Sequence, residues 1–220
     1  MKKIQGIIFD MDGLIFDTEP IYYQAAQQAA DELGIPYDME IYKNFIGVGD
    51  ELLWASYHEM FDADHGVETV HQLIQRSYEY AEVIFDKGEV PLKPGFKELL
   101  AVLKEQAIPR VLASSNNRPT IEHLLAINEL TDEFEAIVSR EDVQVAKPDP
   151  AIFLKAAQIM ALPKEHLLVL EDSEHGVTAA HRAKIDVIMV PDLLEPSVEA
   201  HERTLTIVNS LHDVIELIGD

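Results

Sequence analysis

The sequence predicts an α/β fold, a doubly wound parallel sheet interrupted by an all-helical insert. Three observations carry this. Residues 4–9, 110–113, 136–139, 167–170 and 187–190 are short apolar runs without polar alternation, as strands buried on both faces require. Helix-period segments at 95–106, 120–127, 150–160 and 176–183 lie between the later runs, the alternation of parallel βαβ units. From about residue 17 to 88 the alternation stops and only helical patterns are found. The expectation is a discontinuous Rossmann-like core of residues 1–16 and 89–220, with a helical cap at 17–88.

Taken in order, the first strand runs into Asp10-Met11-Asp12-Gly13, two carboxylates that an apolar core would not accept unpaired. Thr18-Glu19-Pro20 then starts a helix, with proline at an early position. Tyr22, Ala25, Ala26, Ala29 and Leu33 give it one apolar face, and Gly34 ends it. Leu52, Leu53, Trp54 and Met60 mark a second helix, with Trp54 read as core of the insert, and residues 70–85 mark a third. Gly47-Val48-Gly49 is too short for a dinucleotide fingerprint and reads as a loop. The return linker, 90–95, is stiffened by Pro91 and Pro94. Lys184 closes a helix, where a cation suits the macrodipole, and only a local backbone adjustment is expected there.

Composition narrows the function. The 220 residues are 47% hydrophobic and 26% charged, as in an ordinary globular protein. A formal charge of −23 opposes binding to nucleic acid or an anionic membrane, which depend on clustered cations. No apolar run approaches the ~20 residues of a membrane span. The start, Met1-Lys2-Lys3 before residues 4–9, resembles a signal peptide only faintly, because the apolar part is short and Asp10 interrupts it. The absence of cysteine excludes thiolate chemistry and fits a reducing cytoplasm.

In doubly wound sheets the ligand sits beyond the carboxyl ends of the strands. Asp10 and Asp12 follow the first strand, and Ser114, Ser115, Asn116 and Asn117 the second. Lys147-Pro148-Asp149-Pro150 lies beyond the third, and Glu171-Asp172-Ser173, with Gly176, ends the fourth. Acids, a hydroxyl and a lysine at one sheet edge suit phosphoryl transfer. Carboxylates hold a hard cation such as Mg²⁺, and lysine neutralises phosphoryl oxygens. Alone, Asp10 and Asp12 could be turn formers, and the Lys147 and Glu171 segments could merely start or cap helices. A calcium loop is excluded, since Leu14 stands where a ligand belongs and Gly13 comes too early. The nine histidines have no metal-binding spacing.

These four segments, in this order, resemble the motifs of the haloacid dehalogenase-like hydrolase superfamily, closest to its β-phosphoglucomutase-like branch. The resemblance implies that Asp10 is nucleophile and metal ligand. It makes Asp12 the general acid/base, lending its backbone carbonyl to the metal. Ser114, helped by Ser115 and Asn116, would bind the phosphoryl group, and Lys147 would neutralise nucleophile and phosphate. Asp172 and Glu171 would complete a Mg²⁺ site, and Tyr22, Gly47 and Asp50 would face the substrate from the cap.

Two departures bear on the reaction. Tyr22 stands where the mutases carry histidine, and Asp50 and Glu51 follow the Gly47-Val48-Gly49 loop where mutases have an arginine for a second phosphate. A carboxylate there would repel that phosphate. The sequence therefore points to a phosphatase of a small sugar or polyol phosphate acting through an aspartyl phosphate. The alternatives are a β-phosphoglucomutase or a non-catalytic phosphometabolite-binding protein. The expected partner is a small phosphorylated metabolite, and the expected state a monomer, with a dimer as the alternative.

Overall fold

The computed structural model describes residues 3–46, 48–88 and 90–218. The chain divides into two compact units, residues 1–16 with 92–220 and residues 17–91.

The first unit is built on six parallel strands: β1 (Gly6–Phe9), β2 (Arg110–Ala113), β3 (Ala136–Val138), β4 (Leu167–Glu171), β5 (Asp186–Met189) and β6 (Thr206–Ile207). Their order is β3-β2-β1-β4-β5-β6, and β1 is central, pairing Ile8 with Val111 on one side and Val169 on the other. The pleat sends alternate residues to opposite faces. Ile8 joins one cluster with Ile152, Phe153, Val177 and Ala180. Its neighbour Phe9 meets Phe96 and Phe134 edge to face, with ring centroids 6.0 and 5.9 Å away. The crossover helices are α5 (Phe96–Glu105), α6 (Arg118–Ile127), α7 (Ala151–Met160), α8 (Glu174–Ala183) and α9 (Val198–Arg203), followed by α10 (Leu211–Ile218) against α5.

The second unit holds α1 (Glu19–Leu33), α2 (Met39–Lys43), α3 (Asp50–His65) and α4 (Val67–Asp86). Buried alanines 25, 26, 29 and 30 on α1 permit close packing with α4, whose buried face carries Val70, Leu73, Ala81 and Phe85. At its polar margin Tyr80 and Arg76 of α4 donate to Glu32 of α1, at 2.6 and 3.2 Å. Trp54 departs from the sequence reading: it is 40% exposed, because Tyr57 and Phe61 fill the buried face of α3 instead. Lys184 takes a left-handed conformation (φ 59°) and caps α8. Among the described residues, no helix is long and apolar enough to cross a membrane.

Beyond β3, a 3₁₀ turn at Arg140–Asp142 is tied down by one carboxylate. Asp142 Oδ2 accepts from the Ser139 backbone at 2.9 Å, its hydroxyl at 3.1 Å and Arg118 at 2.6 Å, while Lys155 approaches Oδ1 at 3.3 Å. The Ser139 N–H, then Lys155, the Ser139 hydroxyl and Arg118, hold its pKa down at about 2 against a usual 3.8. A depressed folded-state pKa contributes stability above the ordinary value and loses it as pH falls through the folded one. Asp142→Asn should lower Tm at pH 7 by about 3 °C, the shift for roughly 1 kcal/mol in a chain this long. Thermal unfolding followed from pH 7 down should show that difference fading between about pH 4 and 2; a gap undiminished at low pH would assign the effect to shape, not charge.

Candidate active site

The strand order reverses between β1 and β4, since the chain leaves β1 for β2 and β3 and returns to β4 on the other side. A crevice opens at such a junction, at the carboxyl ends of the strands. Asp10 and Asp12 follow β1 there, and Glu171 is the last residue of β4, with Asp172 next. The Asp10 N–H donates to Leu170 O at 3.0 Å, continuing the ladder. Beyond it the chain folds back tightly, with Ile15 N on Met11 O at 2.9 Å and Gly13 N on Phe16 O at 2.9 Å. Met11, Leu14, Ile15 and Phe16 are all buried, which anchors the loop. Gly13 has φ +76°, and a Cβ there would lie 2.3 Å from Asp172 Oδ2. Only glycine meets both demands.

Lys147 reaches this junction from the loop after β3. Its Nζ donates to Asp10 Oδ1 in the shortest contact of the site, to Glu171 Oε1 at 2.7 Å and to Ala113 O at 3.3 Å. The ammonium also lies 4.9 Å from the Phe153 ring centroid, a cation–π distance. Glu171 is fully buried. Its Oε2 accepts from Asp172 N at 2.8 Å, Ser173 N at 2.8 Å and Ser173 Oγ at 3.0 Å. Ser173 in turn caps α8 by accepting from Gly176 N at 3.1 Å. Burial pushes the Asp10 carboxyl up to about 8 against the pull of Lys147. Lys147 is itself raised: burial would lower it, but Asp10 and Glu171 together outweigh that.

Ser114 is buried at the end of β2, and its hydroxyl lies 3.4 Å from Asp12 Oδ2. Asn116 Nδ2 approaches the same oxygen at 3.5 Å, and Asn116 N donates to Ser114 Oγ at 3.0 Å. Ser115 is exposed, so Asn116 rather than Ser115 accompanies Ser114 at Asp12. Asp10, Glu171 and Asp172 each offer an oxygen, and these lie within 4.8 Å of one another. A buried, all-oxygen, anionic donor set fits a hard divalent cation such as Mg²⁺.

Residues 7–190 match the family of haloacid dehalogenase-like hydrolases. The chain belongs to that family. This hydrolase is 31% identical to a phosphorylated carbohydrates phosphatase of Thermotoga maritima, over 84% of each chain. It is also 31% identical to β-phosphoglucomutase of Bacillus subtilis, over 82% of this chain and 80% of that one. A crystal structure from Thermotoga maritima, provisionally assigned as a β-phosphoglucomutase, superposes with a TM-score of 0.80 at 27% identity, covering 98% of this chain and 99% of that one. With named phosphatases among its relatives, the hydrolase is an enzyme of the phosphoric monoester class.

The remaining sequence-predicted residues of the hydrolase lie in the helical unit. Tyr22, on α1, stacks edge to face with Phe85 at 5.5 Å, and Asp50, the first residue of α3, accepts from Tyr78 Oη at 2.7 Å. Tyr78 is bonded in turn by Trp54 Nε1 at 3.3 Å. Gly47 falls outside the described residues. The sequence reading missed the Ala113 carbonyl and the Phe153 ring around Lys147. A backbone oxygen has no sequence signal, and Phe153 looks like any buried residue of a helix face.

Proposed function

We propose that this hydrolase is a Mg²⁺-dependent phosphatase of small sugar or polyol phosphates. The observation carrying this reading is the buried Lys147 held between Asp10 and Glu171. One cation among several acids gives a nucleophile paired for attack, with room for further positive charge. Asp10 attacks phosphorus, the bond to the leaving oxygen breaks, and Asp12 gives that oxygen its proton. Asp12 then takes a proton from water, which attacks the aspartyl phosphate and frees Asp10 and inorganic phosphate. Lys147 and Ser114, with Asn116, hold the phosphoryl oxygens throughout.

When bound, Mg²⁺ supplies positive charge to those oxygens. Asp10, Asp172 and the Asp12 carbonyl would hold it, with Glu171 completing the site. Glu171, with three hydrogen bonds already on Oε2, holds Lys147 in place. The helical segment is assigned as the cap, and Tyr22 and Asp50 as the residues that set its choice of substrate. The cysteine-free sequence suits a reducing cytoplasm as the working compartment.

The test is phosphate release across a panel of sugar and polyol phosphates. Turnover should require Mg²⁺, stop with EDTA and fall on the order of 10²–10⁴-fold in Asp12→Ala. Indifference to EDTA would refute the metal. The identity to a β-phosphoglucomutase favours one second reading. Accumulation of glucose 6-phosphate from β-glucose 1-phosphate and a trace of bisphosphate, without free phosphate, would establish it.

A further inference from the structure

Asp192, three residues beyond β5, is a carboxylate that the reaction above does not use. Its side chain is only 6% exposed. Oδ1 is held by Lys93 Nζ at 2.6 Å, an ion pair that fixes the direction of the carboxylate. Oδ2 is buried, and among the described residues no donor reaches it. A buried anionic oxygen without a partner is strongly unfavourable, so its place implies a donor absent from the protein itself.

The position of Oδ2 says which donor. A Cβ built on Gly13 would meet Asp172 Oδ2 at 2.3 Å and Asp192 Oδ2 at 3.2 Å. The two anionic oxygens thus border the same small space, the one that Gly13 leaves open. Asp172 belongs to the cluster with Asp10 and Glu171 whose oxygens converge within 4.8 Å. Two carboxylate oxygens so placed repel each other unless something positive or hydrogen-donating stands between. Mg²⁺ keeps several of its waters when bound by protein carboxylates, and those waters are donors.

We propose that Asp192 is a positioning residue of the cation site, its Oδ2 accepting a hydrogen bond from a water carried by the cation. Lys93 aims it, and Gly13 provides the opening. The inference rests on the metal reading above and adds two residues to it. Groups that orient a metal's ligands and waters are worth about 10–100-fold in metal affinity.

The experiment is a Mg²⁺ titration of metal-free protein by calorimetry, with Tm in EDTA measured alongside. Asp192→Asn keeps size and a partner for Lys93 but turns a donor toward the site. Asp192→Ala removes the group. Both should raise the Kd for Mg²⁺ about 10–100-fold, while Asp192→Glu recovers part of the loss. A Kd within twofold of the parent in both variants would overturn the proposal, even if Tm in EDTA fell, because that pattern belongs to a purely structural ion pair. Should Asp192→Ala not fold, the isosteric Asn variant decides. No Mg²⁺ binding by the parent would instead overturn the metal reading, and the role of Asp192 with it.

Discussion

Asp10→Asn is expected to release no phosphate above background, a loss on the order of 10⁴-fold or more, as for other enzymes deprived of their nucleophile. The amide fills the same volume, but it cannot attack phosphorus, so packing is kept and chemistry is not. Stability should move the other way. Burial raises the Asp10 carboxyl to about 8, well above its unfolded 3.8. A folded-state pKa above the unfolded one means that the folded protein binds more protons. In the metal-free protein this group's contribution therefore weakens as pH rises from about 4 to 8. A neutral Asn removes that slope, so Tm in EDTA should be equal to or above the parent's near pH 8. Such opposition is common where a site is built for activity. Two measurements check this: phosphate release, and thermal unfolding in EDTA across pH. Retained turnover would sink the nucleophile assignment, and a Tm well below the parent's would mean that the Lys147 ion pair outweighs burial.

The legible and illegible parts of the sequence divide along physical lines. β1, β2 and β4 show plainly because both of their faces are buried, which leaves continuous apolar runs at 4–9, 110–113 and 167–170. The ends of those strands were legible for the converse reason. Asp10 after β1 and Glu171 at the end of β4 are charges that burial would exclude without a partner, and Lys147, from the loop after β3, is the partner of both. β6, α2, α9 and α10 escaped notice. Two half-buried residues make no run, and helices of five to eight residues span barely two turns. Trp54 misled because an indole in a helix usually faces a core, whereas its N–H bonds Tyr78 at the surface. Asp192 carries no local mark at all. Its meaning comes from Lys93 and Gly13, which are distant in sequence and meet it only in the folded chain.

Gly176→Ala is expected to damage both stability and turnover, against the usual rule for a helix. In a helix interior alanine is favoured over glycine by about 1 kcal/mol. At Gly176, however, a Cβ would lie 1.6 Å from Glu171 Oε1, 1.8 Å from its Cδ and 2.4 Å from Oε2. Glu171 has no exposed surface and so no route to solvent. Displacing it would break its 2.7 Å bond to Lys147 and strip three donors of their acceptor at once. Disrupting a buried ion pair costs about 3–5 kcal/mol, which outweighs the helix preference severalfold. Tm should fall by about 10 °C in a chain of this length. Turnover should drop on the order of 100-fold, since Lys147 would lose the group that holds it at Asp10. The double variant Glu171→Asp with Gly176→Ala shortens the acid by one methylene and gives the methyl room. Its Tm should exceed that of Gly176→Ala alone, a coupling that two independent sites would not show. Thermal unfolding of the four proteins of this cycle is the measurement, and parental Tm and turnover in Gly176→Ala would refute the contact.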